Sequence, residues 1–296
     1  MRKSCTPAIK NISGLRSLGQ GSVSPDFWII IMFEDYFFPV PDIDAYFSRL
    51  GMPGLQIPDE ESLDRLIYVH QCRIPFENIN PVNGLPVSLR TEDLFEKVIV
   101  GKRGGFCFEL NTLFCRLLEA CGFQVYGCRA RVVRGLDYIP RSHHRGNIVV
   151  LDGEPYYCDV GYGGPQPAMA LKVEDGFTKT AAGDTFRITK ADAFWWTLSR
   201  AVSSGWENIL QFSLHPELEA DFITPCYYCA TSPDSKFVTE YNLNLRTEGG
   251  SISLLGKKFI KREHGRRSEK SIETPSELRR IIETEFGISP DFELKL

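Results

Sequence analysis

The sequence predicts an α+β fold of several lobes, and three observations carry that expectation. Apolar residues recur at helical spacing up to Cys121, strand-like alternation takes over after Gly122, and a mixed segment begins near Pro216. With 296 residues, 43% hydrophobic and 24% charged, the chain can bury one or two substantial cores. The boundaries read along it are an extension at 1–31, a helical region at 32–121, a strand-rich region at 122–215 and an α/β segment at 216–296.

The extension carries Ser, Gly and Pro with no helical or strand period, so it is expected to be poorly ordered, and Met32 opens the first core-like stretch. Helical spacing then marks Ile43 to Leu50, Ser62 to Gln71 and Thr91 to Val98, with Ser62 and Thr91 placed as N-caps. Leu110, Leu113, Phe114, Leu117, Leu118 and Cys121 form a stripe that predicts a buried helix starting just after Gly105 and closed by Gly122. QVYGCRARVV, GNIVVL and EPYYCDV follow as strands, and Phe194, Trp195 and Trp196 are expected to pack between lobes, with an aromatic wall for a ligand as the alternative. In the last segment CYYCAT, VTEYNLNL and SISLLGKKFIKRE read as strands, before a helix from Ser276 to Phe286 stopped by Gly287.

Composition excludes several classes of function. A net charge of −4 supplies no cationic field for nucleic acid or an anionic membrane. The longest apolar run, FWIIIMF from Phe27 to Phe33, falls far short of the roughly 20 residues that span a bilayer. Nine cysteines without dense regular spacing predict a reducing, cytoplasmic setting. Cys226 and Cys229 have C-x-x-C spacing but lack the second pair of a structural zinc site, and no metal is expected.

Chemistry concentrates around RGGFCFELN, Arg103 to Asn111. Cys107 falls in the first turn of the predicted helix, where unpaired N–H groups and the helix dipole favour a thiolate. Gly104 and Gly105 allow positive φ and a close approach by another molecule. A buried structural cysteine behind a helix-entry turn is the competing reading. A nucleophile needs a base, and Asp152-Gly153 is a two-residue hairpin signal that pairs Leu151 with Glu154. Asp159 then lies opposite Gly146, and His144, on the same face, becomes its diagonal neighbour at about 7–8 Å. This gives a candidate Cys107–His144–Asp159 triad; a surface His pair and a strand-terminal Asp remain the alternative.

RGGFCFELN, the His144 strand, DVGYGG from Asp159 to Gly164 and RIPFENI from Arg73 to Ile79 together resemble the arylamine N-acetyltransferase family. Weaker likeness runs through SPDSKF (Ser232 to Phe237) and FGI (Phe286 to Ile288), so the resemblance covers nearly everything after Met32. It implies a helical domain supplying Cys107, a β-barrel supplying His144 and Asp159, an α/β lid and a cysteine-protease-like core. It also implies ping-pong transfer from acetyl-CoA, through acetyl-Cys107, to an arylamine, arylhydroxylamine or hydrazine in xenobiotic metabolism. Backbone N–H groups near Phe106 and Cys107 would hold the oxyanion, with Glu109 and Asn111 as supports and Arg103 as an ion-pair partner.

By the same resemblance Gly161, Gly163, Gly164, Tyr228 and Ser235 would contact CoA. The chain departs from the family pattern at Asp234 and Lys236, which put the CoA contacts in question, and at Arg145-Gly146-Asn147, expected to alter the acceptor pocket. Lys257 to Arg267 reads as a solvated hairpin or as a site for the nucleotide end of CoA. An amide synthase of secondary metabolism, a hydrolytic or transglutaminase-like cysteine enzyme and a binding-only relative stay open, as do the acyl group of the donor, the physiological amine and the oligomeric state.

Overall fold

The computed structural model describes residues 38–55 and 57–296; the expected extension at 1–31 lies outside the described residues. Among the described residues four helices come first: α1 (Ile43–Leu50), α2 (Glu60–Arg73), α3 (Ile79–Asn83) and α4 (Thr91–Phe95), the last running into a π-helical turn, Glu96–Val100. The helix α5 (Cys107–Ala120) follows, and an eight-stranded antiparallel sheet comes next. Its strands are β1 (Gln124–Val132), β2 (His144–Leu151), β3 (Glu154–Cys158), β4 (Leu171–Lys172), β5 (Thr178–Ala181), β6 (Asp184–Lys190), β7 (Trp195–Val202) and β8 (Gly205–Pro216). The order β4-β3-β2-β1-β8-β7-β6-β5 brings β4 back beside β6, so the sheet is a nearly closed barrel.

A 3₁₀ turn (Glu219–Phe222) leads into α6 (Ile223–Thr231) and the short α7 (Lys236–Thr239). The chain ends with a meander, β9 (Asn242–Thr247), β10 (Gly250–Leu255), β11 (Lys258–Glu263) and β12 (Arg266–Ser271), and the helix α8 (Pro275–Phe286). The fold is α+β, as the sequence predicts.

Three buried apolar clusters hold these elements together. The first gathers Leu63, Leu66, Leu110, Leu113 and Phe114 from the helices, but also Val149 and Cys158 from the barrel and Phe222 and Cys229 from the segment after it. The second fills the barrel with Ile148, Tyr157, Ile188, Leu198 and Phe212. The third packs Leu243, Ile252 and Leu254 of the meander against Leu278, Ile281 and Ile282 of α8.

Several helix starts differ from the sequence reading. The N-cap of α2 is Asp59, whose carboxylate accepts from Ser62 N at 2.8 Å, so Ser62 sits inside the first turn. Thr91 is likewise the first helical residue, with Arg90 extended before it. CYYCAT, expected as a strand, forms most of α6: Pro225 falls in the first turn, where its missing N–H costs nothing, and burial of Cys226 and Cys229 overrides the strand preference of the tyrosines. Trp195 and Trp196 do not pack between lobes; they lie on β7 beneath Arg131 and Lys190, and Phe194 is 75% exposed. The end of α8 agrees, with Thr274 capping Glu277 N at 3.2 Å and Gly287 left-handed at φ 66°.

The β2–β3 hairpin has the register read from Asp152-Gly153. Both turn residues have positive φ, 51° and 81°, and Leu151 pairs with Glu154 through to Asn147 with Cys158.

Gly104 is the tightest point of the helical region, since a Cβ there would run into the Pro75 carbonyl oxygen. Gly104→Ala is expected to cost about 3 kcal/mol, read as a lower urea midpoint at unchanged slope.

Candidate active site

Cys107 is the first residue of α5 and is 2% exposed. Phe106 is extended ahead of it, and Glu109, three residues on, accepts Phe106 N at 3.1 Å, closing the helix start. The two preceding glycines serve the chain itself. Neither has positive φ; a Cβ on Gly105 would lie 2.8 Å from Glu109 Cβ, and Gly105 O accepts Glu77 N at 2.9 Å. The space expected to admit another molecule is filled by Pro75 to Glu77.

Buried charges brace this corner. Glu77 is fully buried and receives Arg103 Nη2 at 2.8 Å, with Lys97 Nζ at 3.7 Å. Burial would raise its carboxyl, but Lys97 and Arg103 outweigh burial and hold it below the ordinary range. Lys97 also binds Glu109 at 2.7 Å. Arg103 is thus the partner of Glu77, and Glu109 supports the helix start.

Burial pushes the Cys107 thiol well above its ordinary value, reinforced by the charges that Cys229, Asp159 and Cys226 would carry and opposed by the Phe108 N–H. Burial thus works against the thiolate that a helix start favours, and a base beside the thiol would offset it.

The residue expected to be that base stands on the hairpin. His144 opens β2, and its Nε2 lies 2.6 Å from Asp159 Oδ2 just beyond β3. A carboxylate only accepts, so this nitrogen carries the proton and Nδ1 is the free position. Asp159 Oδ1 accepts Asn111 Nδ2 and Gly161 N, each at 2.8 Å. Oδ2 also accepts the Tyr157 hydroxyl at 2.9 Å. Burial alone would raise the Asp159 carboxyl; His144, Asn111 and the Gly161 N–H outweigh it and hold it low.

Asn111, one turn along α5 from Cys107, also donates to Arg145 O at 2.6 Å and accepts Val160 N at 3.0 Å. Gly161 closes the gap: a Cβ on it would sit 2.9 Å from Cys107 Cα. Cys107, Asn111, His144 and Asp159 are therefore gathered in one buried site. Tyr157 was missed by the sequence reading, although it shares a strand face with Asp159 and has Gly146 as its diagonal neighbour across the hairpin.

Arg145 does not reach an acceptor pocket. Strand alternation turns it away from His144, where its guanidinium bonds Thr112 Oγ1 at 2.7 Å, both carboxylate oxygens of Glu219, and stacks 4.4 Å over Phe222. Arg116 Nη2 also meets Glu219 at 3.1 Å. Burial would raise the Glu219 carboxyl, but Arg145 and Arg116 hold it below its ordinary range. Asn147 donates to Asn111 O at 3.0 Å, again facing α5.

Beside the site runs a cleft of about 570 Å³ lined by Tyr162, Gly163, Gly164, Phe237 and the polar face of β9–β10, and by Arg134, Arg200, Arg246 and Arg262 with Asp184. Asp184 engages Arg200 at 2.7 Å. Arg246 hydrogen-bonds to neutral groups, Gln71 Oε1 at 2.9 Å and Gln166 O at 2.7 Å, with the charge of Asp184 nearby. Gly163 is left-handed at φ 72° and a Cβ there would press on Phe76 at 2.6 Å. Tyr228 and Ser235 do not line this cleft: Tyr228 accepts Arg141 at 3.3 Å, and Ser235 caps α7 and donates to Cys229 O at 2.7 Å. The Gly161 N–H is spent on Asp159. Asp234 is exposed in the turn before α7, away from the cleft.

Residues 59–294 match the family described as N-acetyltransferase. The arylamine N-acetyltransferase of Mycolicibacterium smegmatis is 30% identical over 254 residues, covering 83% of this chain and 92% of that protein. The chain belongs to the arylamine N-acetyltransferase family. As such it is an acyltransferase. The structure of the Salmonella typhimurium arylamine N-acetyltransferase superposes with a TM-score of 0.80 at 27% identity, covering 85% of this chain and 92% of that one. That of the Mycobacterium marinum arylamine N-acetyltransferase in complex with CoA gives 0.78 at 28% identity, covering 83% and 93%.

Glu219→Gln leaves Arg145 buried against a neutral amide and is expected to cost about 3–5 kcal/mol at pH 7. The sign with pH follows from a depressed carboxyl: its stabilisation is complete above the ordinary glutamate range near about 4.3 and is lost as pH falls through the lowered value. Urea unfolding of the variant should therefore depend less on pH below about 4 than the parent does.

Proposed function

We propose that the chain transfers an acetyl group from acetyl-CoA to the nitrogen of an arylamine or hydrazine, or to an arylhydroxylamine, through an acetyl-Cys107 intermediate. The observation that carries this reading is the 2.6 Å contact of His144 Nε2 with Asp159, whose other oxygen is tied through Asn111 to the helix that Cys107 begins. His144 Nδ1 takes the Cys107 proton, and the thiolate attacks the acetyl carbonyl carbon. The bond from carbonyl carbon to CoA sulfur breaks, and CoA leaves with the proton from His144. The amine then attacks the acetyl-cysteine, His144 receives its proton, and Cys107 leaves with that proton restored.

Asp159 holds the ring and stabilises the imidazolium at each stage. The Phe106 N–H is occupied by Glu109, which leaves the Cys107 amide as the oxyanion donor. The cleft supports the donor assignment: the amides of Gly163 and Gly164 and the Arg246 guanidinium, whose hydrogen bonds go to the neutral Gln71 and Gln166, suit the phosphates of CoA. Eight free thiols among the described residues support a reducing, cytoplasmic setting. No helix among the described residues is long and apolar enough to cross a membrane.

Intact mass after incubation with acetyl-CoA alone should show one added acetyl group, absent from Cys107→Ala; failure to label while iodoacetamide still modifies Cys107 would point to another acyl donor. Arg246→Met is expected to raise KM for acetyl-CoA about tenfold with little change in kcat, in steady-state assays at fixed amine.

A further inference from the structure

Tyr157 has no step in the acyl-transfer cycle, yet its hydroxyl and His144 Nε2 donate to the same oxygen, Asp159 Oδ2, at 2.9 and 2.6 Å. The fold is built to allow this. Tyr157 is 1% exposed and its ring stacks on Phe212, centroids 4.2 Å apart at 25°. Across the hairpin, Gly146 leaves the room: a Cβ there would lie 2.5 Å from the ring and 2.7 Å from the hydroxyl oxygen. Burial, then the Asp159 charge, raises the phenol well above its ordinary value, so it remains a donor.

The surrounding groups leave Asp159 as the carboxylate that His144 faces. Burial raises Cys107 on α5, Cys128 on β1, Cys158 on β3 and Tyr162 in the following loop, so each favours its neutral form before any proton moves. Arg145 is engaged by Glu219. A second donor on Oδ2 withdraws negative charge from the atom that holds the imidazolium and prevents the carboxylate from rotating about its tie to Asn111.

We propose that Tyr157 is a positioning residue of the transfer reaction: by sharing Asp159 Oδ2 with His144 it orients the carboxylate and moderates its pull, so that His144 can both take and release the thiol proton. This rests on the reading of Cys107, His144 and Asp159 as the catalytic unit. Gly146 takes part by giving the tyrosine its place.

The test is an NMR titration of the His144 ring in the full chain, assigned with His144→Gln, for the parent and for Tyr157→Phe, which keeps the stacked ring. Loss of the hydroxyl should raise the His144 midpoint by about half a pH unit or more. The pH profile of Cys107 acetylation should shift with it, and KM for the donor should stay unchanged. Gly146→Ala should move the midpoint the same way, and combining it with Tyr157→Phe should add nothing further. A midpoint in Tyr157→Phe equal to the parent's overturns the proposal, whether or not Gly146→Ala folds. If the parent is never acetylated by acetyl-CoA, the donor reading fails, while the titration still decides whether Tyr157 controls His144.

Discussion

Asp159 carries a buried negative charge, and removing an isolated charge from water costs so much that every neighbouring element must answer it. Four donors do so: a side-chain amide from α5, a backbone amide from the loop after β3, an imidazole from β2 and a phenol from β3. Satisfying that one carboxylate docks the barrel onto the helical region and sets the ring of His144. Asn111 does the same work from the other side, its amide bridging Asp159 to Arg145 O and its oxygen receiving Val160 N. The site is therefore a product of charge satisfaction, with packing built around it.

Arg145 illustrates how strictly strand parity divides labour. It follows His144 directly, yet it is fully buried on the opposite face and belongs to a separate ionic cluster with Glu219 and Arg116. A run that looked as if it would reshape a substrate pocket instead fastens β2 to α5 and to the turn before α6. The same parity makes Gly146 the neighbour of Tyr157 and leaves Asn147 to face α5.

Much of this was legible in the sequence because it is local. The stripe from Leu110 to Cys121 located α5, and Asp152-Gly153 located the turn and with it the pairing of His144 and Asp159. What escaped depends on residues far apart in the chain. Glu219 meets Arg145 across 74 positions, and Gln71 reaches Arg246 across 175, so no window around either residue contains its partner. The helical state of CYYCAT was hidden for a related reason: tyrosine and cysteine favour strands by themselves, and the helix is set by burial of Cys226 and Cys229 in the first apolar core. The glycines before Cys107 stand out in the sequence, but what approaches them is the chain's own Pro75 to Glu77 segment, which no window around Cys107 contains.

The first apolar core draws on α5, on Val149 and Cys158 of the barrel and on Cys229 of α6, and Cys107, His144 and the arginine cleft come from three separate stretches of sequence. No contiguous fragment contains a working subset. Catalytic turnover is consequently a report on cooperative assembly: a chain with one region frayed has lost its chemistry before it has lost its secondary structure. An activity measurement thus doubles as a sensitive gauge of native tertiary order, and substitutions that merely loosen the docking of barrel and helices register as silent enzyme long before they register as unfolded protein.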